Sequence, residues 1–327
     1  MKIMVIGAGG LLGGRIVEHE VQMGHNVFAA VRNAEQVEYL RSLNANVVHL
    51  NLENLDGVEN KLNNVDLIVY AAGLNAKESE LDPQKAISLR GTGTKRLLEA
   101  AIKCRVKYFI YISSAHVYSN TLIGSFNENS PLLNQSPYAI SHQAGERVVL
   151  QSAKDGSIEG LVVRISNGFG CPLNRDVNCW GLLVNDLCRQ VLLTGSMTIK
   201  GDGTDMRSFI PISEICHAIE FLIKNMPFGT DSRRVRVLNL GGGQSLSTYE
   251  MAKLIKKRFK YLMEINPKIN ISCSGQLNKS IYHKSYIYES KLINDLGYVS
   301  RNRVVEEVDR LINFCRDNFG IDNNIEK

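Results

Sequence analysis

The apolar run Lys2-Ile3-Met4-Val5-Ile6 passes without a linker into Gly7-Ala8-Gly9-Gly10-Leu11-Leu12-Gly13, and helical spacing begins at once. A strand that turns directly into a helix on glycines restricts the fold to a parallel sheet with helical crossovers. Gly7 permits the tight turn, Gly10 lets the backbone approach a pyrophosphate, and Gly13 lets the helix pack close to the sheet. The helix N-terminus adds free N–H groups and partial positive charge. The segment therefore reads as a dinucleotide site formed by Gly7, Gly10, Leu11, Leu12 and Gly13. The plain alternative is an ordinary strand-to-helix turn.

The rest of the first half keeps the alternation. Strands are expected at 2–6, 26–31, 46–50, 66–71, 107–112 and 160–165, with helices near 11–23, 34–43, 83–103 and 137–154. The helix at 83–103 opens with Asp82 as N-cap and Pro83 at its first position. Beyond Arg164 the pattern loosens into a helix near 178–194, the turn Gly201-Asp202-Gly203 and a strand at 207–211. The strand 235–240 is hydrophobic enough to return to the main sheet, and Ser247-Thr248-Tyr249-Glu250 is a capping box. Gly297 ends a short helix near 289–296. The expectation is α/β: a Rossmann-type doubly wound parallel sheet with a smaller, interleaved C-terminal α/β substrate lobe. Residues 1–168, joined by 207–242, make the dinucleotide domain, and 169–327 are mainly the substrate lobe.

Composition narrows the function. The charge of +5 comes from 38 basic and 33 acidic residues spread along 327 positions, without the runs that track a phosphate backbone, which argues against nucleic acid. Seven cysteines without a CxxC pair suggest neither a disulfide framework nor a metal site, so a reduced cytoplasm fits best. No stretch approaches the roughly 18 apolar residues of a membrane span. Where an NAD site carries an acidic residue, at the end of the second strand, this chain has Val31-Arg32. A guanidinium there binds a 2′-phosphate, which favours NADP over NAD; an ordinary surface charge and stacking on the adenine are the alternatives.

Ile112-Ser113-Ser114-Ala115-His116-Val117-Tyr118 ends a strand, and Ser136-Pro137-Tyr138-Ala139-Ile140-Ser141-His142 opens a helix. Together these resemble the Ser/Thr and Tyr-x-x-x-Lys elements of the extended short-chain dehydrogenase/reductases, in the NAD-dependent epimerase/dehydratase family typified by UDP-glucose 4-epimerase. The resemblance spans nearly the whole chain. It includes Asn51-Leu52 near the adenine position, Asp66 through Ala71 and Ala72, Gly91-Thr92 with Leu97 to Ala101, Arg164 to Gly170, and Gly201-Asp202-Gly203 ahead of Arg207.

The resemblance implies a sugar substrate, nucleotide-linked, handled by 4-epimerisation or 4-keto reduction. Tyr138 is then the acid/base, Ser114 holds the same oxygen, and Asn167 and Arg207 contact the substrate diphosphate; Arg207 could instead pair with Asp205 or Glu214. In the family a lysine four residues after the tyrosine supplies fixed positive charge and holds the nicotinamide ribose. Here that place is His142, whose imidazole is mostly neutral at pH 7. A retuned catalyst, a binder that has lost catalysis and a residue altered in the cloned chain are the three explanations. Ala115-His116 replace the acidic pair of the dehydratases, which disfavours dehydration; His116 is either a pocket acid/base or a packed side chain. A further family arginine is missing near Asn278-Lys279-Ser280-Ile281, where Lys279 or Lys284 would substitute, and Ser88 replaces a family asparagine. The alternative function is a catalytically impaired dinucleotide-binding scaffold or redox sensor. The family also implies a homodimer built on the helices 83–103 and 137–154, whose Leu97, Leu98, Val148 and Val149 serve either that interface or the core.

Overall fold

The computed structural model describes residues 1–33, 38–226, 235–272 and 285–320. Its centre is a seven-stranded parallel sheet: β1 (Lys2–Ile6), β2 (Asn26–Val31), β3 (Asn46–His49), β4 (Leu67–Tyr70), β5 (Tyr108–Ser114), β6 (Glu159–Ile165) and β7 (Val237–Leu240). The strands lie in the order β3-β2-β1-β4-β5-β6-β7. That order reverses direction between β1 and β4, and the crevice above the strand ends at such a reversal is where dinucleotides bind.

The strands are apolar at nearly every position because both faces are covered. Ile3 and Val5 of β1 join one buried cluster with Ile16, Ile110 and Ile219, while Met4 and Ile6 point the other way to Ile68, Tyr70, Phe109, Leu97 and Val149. Each fully buried aliphatic side chain is worth about 1.5–3 kcal/mol. Leu97, Leu98 and Val149 belong to this core, with Val148 packed at its edge, so three of the four candidate interface positions already serve the monomer.

Local signals set the helix starts. Helix α1 (Leu11–Gln22) begins on Gly10 with no side-chain cap. Helix α2 (Pro137–Lys154) has Ser136 as cap, accepting from the Ala139 N–H at 3.3 Å, and Pro137 at its first position. Asp82 caps Pro83–Ile87, and the Ser247 and Glu250 capping box starts Thr248–Met263. The expected helix at 83–103 is a helical run, but its middle, Ser88–Gly93, is a π-helical segment. The helix expected near 178–194 starts later, at Leu183. Of the helix expected at 34–43, one turn (Glu38–Arg41) is seen and 34–37 lie outside the described residues.

A smaller lobe has its own core, with Leu187, Phe209, Ile255 and Leu311 drawn from separate segments. Strand Asn167–Phe169 pairs with Met206–Pro211 in parallel, and that strand pairs antiparallel with Ser245–Ser247. Between those segments the chain returns to the main sheet as β7, so the lobe and the sheet are interleaved. Helix α3 (Val304–Phe319) was not anticipated. Its Val308, Leu311, Ile312 and Cys315 are fully buried, and its Glu307 accepts from Arg15 of α1 at 2.8 Å, fixing the lobe to the first helix.

Candidate active site

The C-terminal ends of β1 to β4 open into a cleft of about 660 Å³, walled by Gly7, Gly9, Gly10, Arg32, Asn51, Leu52, Ala71 and Ala72. Gly7 has φ +85°, and a Cβ there would lie 2.8 Å from Ala72 Cα, so glycine is required by both conformation and space. A Cβ on Gly13 would lie 2.2 Å from the Gly7 carbonyl oxygen. Gly13 therefore sits beneath the turn and not in the cleft wall. Leu11 and Leu12 also lie outside the wall, their side chains packed on the core, which leaves their contribution to backbone N–H groups at the uncapped start of α1. Arg32 is exposed on the rim and forms no ion pair with another described residue.

The second cluster stands at the end of β5. Ser114 Oγ accepts from the His116 N–H at 3.2 Å. Asn134 ties this turn to α2: its Nδ2 donates to the His116 carbonyl at 2.6 Å, and its Oδ1 accepts from the Ser136 N–H at 2.8 Å. Tyr138, in the first turn of α2, is thereby held against the Ser114 turn, with its ring 6.4 Å from His116. One turn on, His142 meets the Tyr138 ring edge-on at 4.6 Å.

His142 is 4% exposed, and neither ring nitrogen has a partner among the described residues. Burial, then the nearby Arg90 charge and then His116, hold it well below its ordinary range, so it is neutral. Burial and the Arg207 charge likewise push His116 down. Beneath them Gly145 lets α2 lie on Tyr111, where a Cβ would meet the phenol oxygen at 2.2 Å. Glu146 accepts from Ser113 and from both arms of Arg164, so its charge is neutralised.

Sequence reasoning missed Arg90. Its guanidinium carbon lies 5.3 Å from the Tyr138 ring centroid, and the residue is 6% exposed. Nη1 donates to the Leu74 carbonyl at 3.0 Å and to Ser141 Oγ at 3.3 Å. Gly73, Leu74 and Leu89 line the cleft, so Arg90 touches both the cleft wall and the tyrosine. The only sequence hint was Gly73, whose φ of +141° and missing side chain make room for the guanidinium.

On the lobe side, Asn167 Oδ1 is buried and has no partner among the described residues. Arg207 is half-buried and forms no salt bridge with another described residue; burial lowers its pKa while Asp205 opposes that. Glu214, its other candidate partner, is taken by Tyr298 and by the Arg301 N–H. Ser88 opens the π-helical segment, whereas Lys279 and Lys284 lie outside the described residues. Among the described residues no group of His, Cys, Asp and Glu is arranged to hold a metal, and no helix is long and apolar enough to cross a membrane.

A model of the NAD dependent epimerase/dehydratase family matches residues 3–241. A dTDP-glucose 4,6-dehydratase of Streptomyces antibioticus is 23% identical over 97% of this chain and 93% of its own length. A putative UDP-glucose 4-epimerase of Methanocaldococcus jannaschii is 22% identical over 97% of this chain and 99% of its own. Among solved structures, a UDP-glucuronic acid 4-epimerase from Bacillus cereus, in complex with UDP-glucuronic acid and NAD, aligns with TM-score 0.79 at 20% identity, covering 98% of this chain and 100% of the other.

Proposed function

The chain belongs to the NAD dependent epimerase/dehydratase family, and we propose that it is an oxidoreductase or epimerase moving hydride between a dinucleotide in the Gly7–Gly13 cleft and a nucleotide-linked sugar. The observation that carries this reading is Arg90, which touches the cleft wall at Gly73 and Leu74 and the Tyr138 ring together. Tyr138 is not in the cleft wall, but Arg90 adjoins both, which supports reading the cleft and the tyrosine as parts of one site.

The residues suit the cofactor. Gly7 leaves no room for a side chain in the turn that forms the cleft wall, Gly13 beneath it lets the turn sit close on α1, and the orphaned nitrogens of His142 want a hydrogen-bonding partner such as a ribose hydroxyl. The nicotinamide ring, when bound, accepts and returns hydride. Tyr138 takes the proton of the sugar hydroxyl as that carbon is oxidised and returns it on reduction, while Ser114 holds the same oxygen. Asn167 and Arg207 bind the diphosphate, Arg207 by paired N–H groups. Ala115 and His116 offer no carboxylate pair, so the reading is hydride transfer alone, as 4-epimerisation or 4-keto reduction.

Arg32 on the rim, with no acidic residue beside it at the end of β2, supports NADP over NAD. The division into a dinucleotide domain (1–168 with 207–242) and a substrate lobe is part of the same reading. So is a homodimer through the helices 83–103 and 137–154, which sedimentation tests directly. The neutral, buried His142 favours a second reading, a binder that has lost catalysis. The two separate on purified protein with NAD or NADP and a panel of UDP- and dTDP-sugars, followed by nicotinamide absorbance and by chromatography of the sugar products. Turnover that disappears in Tyr138→Phe supports the enzyme; dinucleotide binding with no turnover across the panel sinks it.

A further inference from the structure

We propose that Arg90 supplies the fixed positive charge that stabilises ionised Tyr138, taking over from another element of the fold the work that a lysine at position 142 does in the family motif. The inference rests on the reading of Tyr138 as the proton carrier.

The first support is geometry. The guanidinium lies over the face of the Tyr138 ring at 5.3 Å, a distance at which a cation is attracted to an aromatic face, and more strongly when the ring is an electron-rich phenolate. Its position is fixed. Nη1 donates to Leu74 and to Ser141, and Ser141 Oγ donates in turn to the Tyr138 carbonyl at 2.7 Å, so Arg90 is tied to the same turn of α2. The π-helical segment delivers it there, and such segments often mark functional sites.

The second support is charge. The groups that accept from Arg90 Nη1 are both neutral, and among the described residues no carboxylate forms a salt bridge with Arg90 and its Nε has no partner. A buried guanidinium without an anion is costly unless a charge appears beside it during the working cycle. The other groups around Tyr138 do not supply one. His142 on α2 and His116 after β5 are both held neutral, the first by burial and Arg90 and the second by burial and Arg207. Tyr111 under His142 stays protonated, since burial pushes it well above its ordinary value, and Glu146 is taken up by Arg164. Arg90 is left as the permanent cation on Tyr138. It also accounts for His142: a lysine there would be a second buried cation beside the first.

The third support is room. A Cβ on Gly73 would lie 2.3 Å from the guanidinium carbon, so the absent side chain keeps the place of Arg90 open. This provides a second variant, Gly73→Ala, that moves the cation without deleting it.

The test reads the phenolate and not turnover. Ultraviolet absorbance of ionised tyrosine is titrated in the parent, Arg90→Leu, Arg90→Lys and Gly73→Ala, each against its Tyr138→Phe counterpart so that one of the 12 tyrosines is isolated. Circular dichroism checks that each remains folded. The expected result is that the Tyr138 signal appears about one pH unit or more higher in Arg90→Leu and Gly73→Ala, and within about half a unit of the parent in Arg90→Lys. With a substrate in hand, the kcat/KM profile moves the same way, roughly tenfold at neutral pH. An unmoved titration in both Arg90→Leu and Gly73→Ala overturns the proposal whether or not the protein turns over a sugar. Absence of turnover with the titration moved overturns only the functional reading.

Discussion

The imidazole of His142 meets the Tyr138 ring edge-on at 4.6 Å while both of its nitrogens lack partners among the described residues. The position is fully enclosed and already under the influence of the Arg90 charge. His142→Lys, which restores the family motif, therefore places an ammonium in a dry site next to a guanidinium. It is expected to destabilise the protein by about 2 kcal/mol or more and to leave turnover no higher. Arg90→Leu in the same chain relieves both effects, with a coupling of about 1–3 kcal/mol. Urea unfolding and initial rates of the four proteins in the cycle measure this; a His142→Lys protein that is as stable as the parent and faster would show that the two cations do not compete.

Arg32 stands on the cleft rim where β2 ends, with Asn51 and Leu52 across the same opening. A charge-assisted contact to a 2′-phosphate is worth about 1.5–3 kcal/mol. Arg32→Glu is expected to weaken NADP binding roughly 10- to 100-fold while changing NAD binding little. Isothermal titration with each dinucleotide decides it. Equal losses for both would assign Arg32 to the adenine face instead.

Gly13 lies outside the cleft wall, yet its missing side chain sets the height of the turn above α1. Gly13→Ala drives a methyl into the Gly7 carbonyl, so the turn must lift. The expected cost is about 1–3 kcal/mol of stability and at least about tenfold in dinucleotide affinity. Thermal melts with and without NADP separate the two, because a mutation that only destabilised the sheet would preserve the ligand-induced gain in Tm.

What the sequence disclosed and what it withheld divide by the range of the interaction. Gly7 and Gly13, the Asp82-Pro83 and Ser136-Pro137 helix starts, and the Ser247 to Glu250 box are local: the residue and its backbone partner lie within one turn. The strands were legible because burial on both faces makes them continuously apolar. Arg90 was not legible, because its meaning comes from Gly73 after β4 and Tyr138 on α2, and no spacing within its own segment encodes either contact. The π-helical segment that aims it has no propensity signature in Ser88 to Gly93. Glu307 escaped notice for the same reason: it reads as the polar face of α3 until Arg15 and the Cys171 N–H are brought to it.

Glu146 and Arg164 form a buried bidentate pair, at 2.9 and 2.7 Å, that joins the tyrosine-bearing helix to β6. Arg164 also donates to the Tyr118 hydroxyl at 3.0 Å, which donates to Asn239 of β7. Glu146→Ala strands a guanidinium in the core and is expected to cost about 3–5 kcal/mol. Glu146→Gln keeps a hydrogen-bonding shape and should cost less. Urea unfolding of the pair of variants measures the difference; equal, small losses would mean that water reaches Arg164.

Glu20 on α1 has no exposed surface, and neither oxygen is hydrogen-bonded to any described residue. His25 lies 3.6 Å away, but burial pushes that imidazole down while burial and the neighbouring Glu220 push Glu20 up to about 8, so the two meet as neutral groups. A carboxyl raised on folding holds a proton that the unfolded chain has released. Its contribution is therefore complete below the ordinary value of 4.5 and is lost as pH rises toward about 8, levelling off above that. Glu20→Gln keeps the neutral shape at every pH. The variant is expected to match the parent near about pH 5 and to exceed it by more than about 1 kcal/mol near about pH 9 in urea unfolding. A gap that does not grow with pH, or that grows toward acid, would show that Glu20 is ionised in the folded protein and paired with a charged His25.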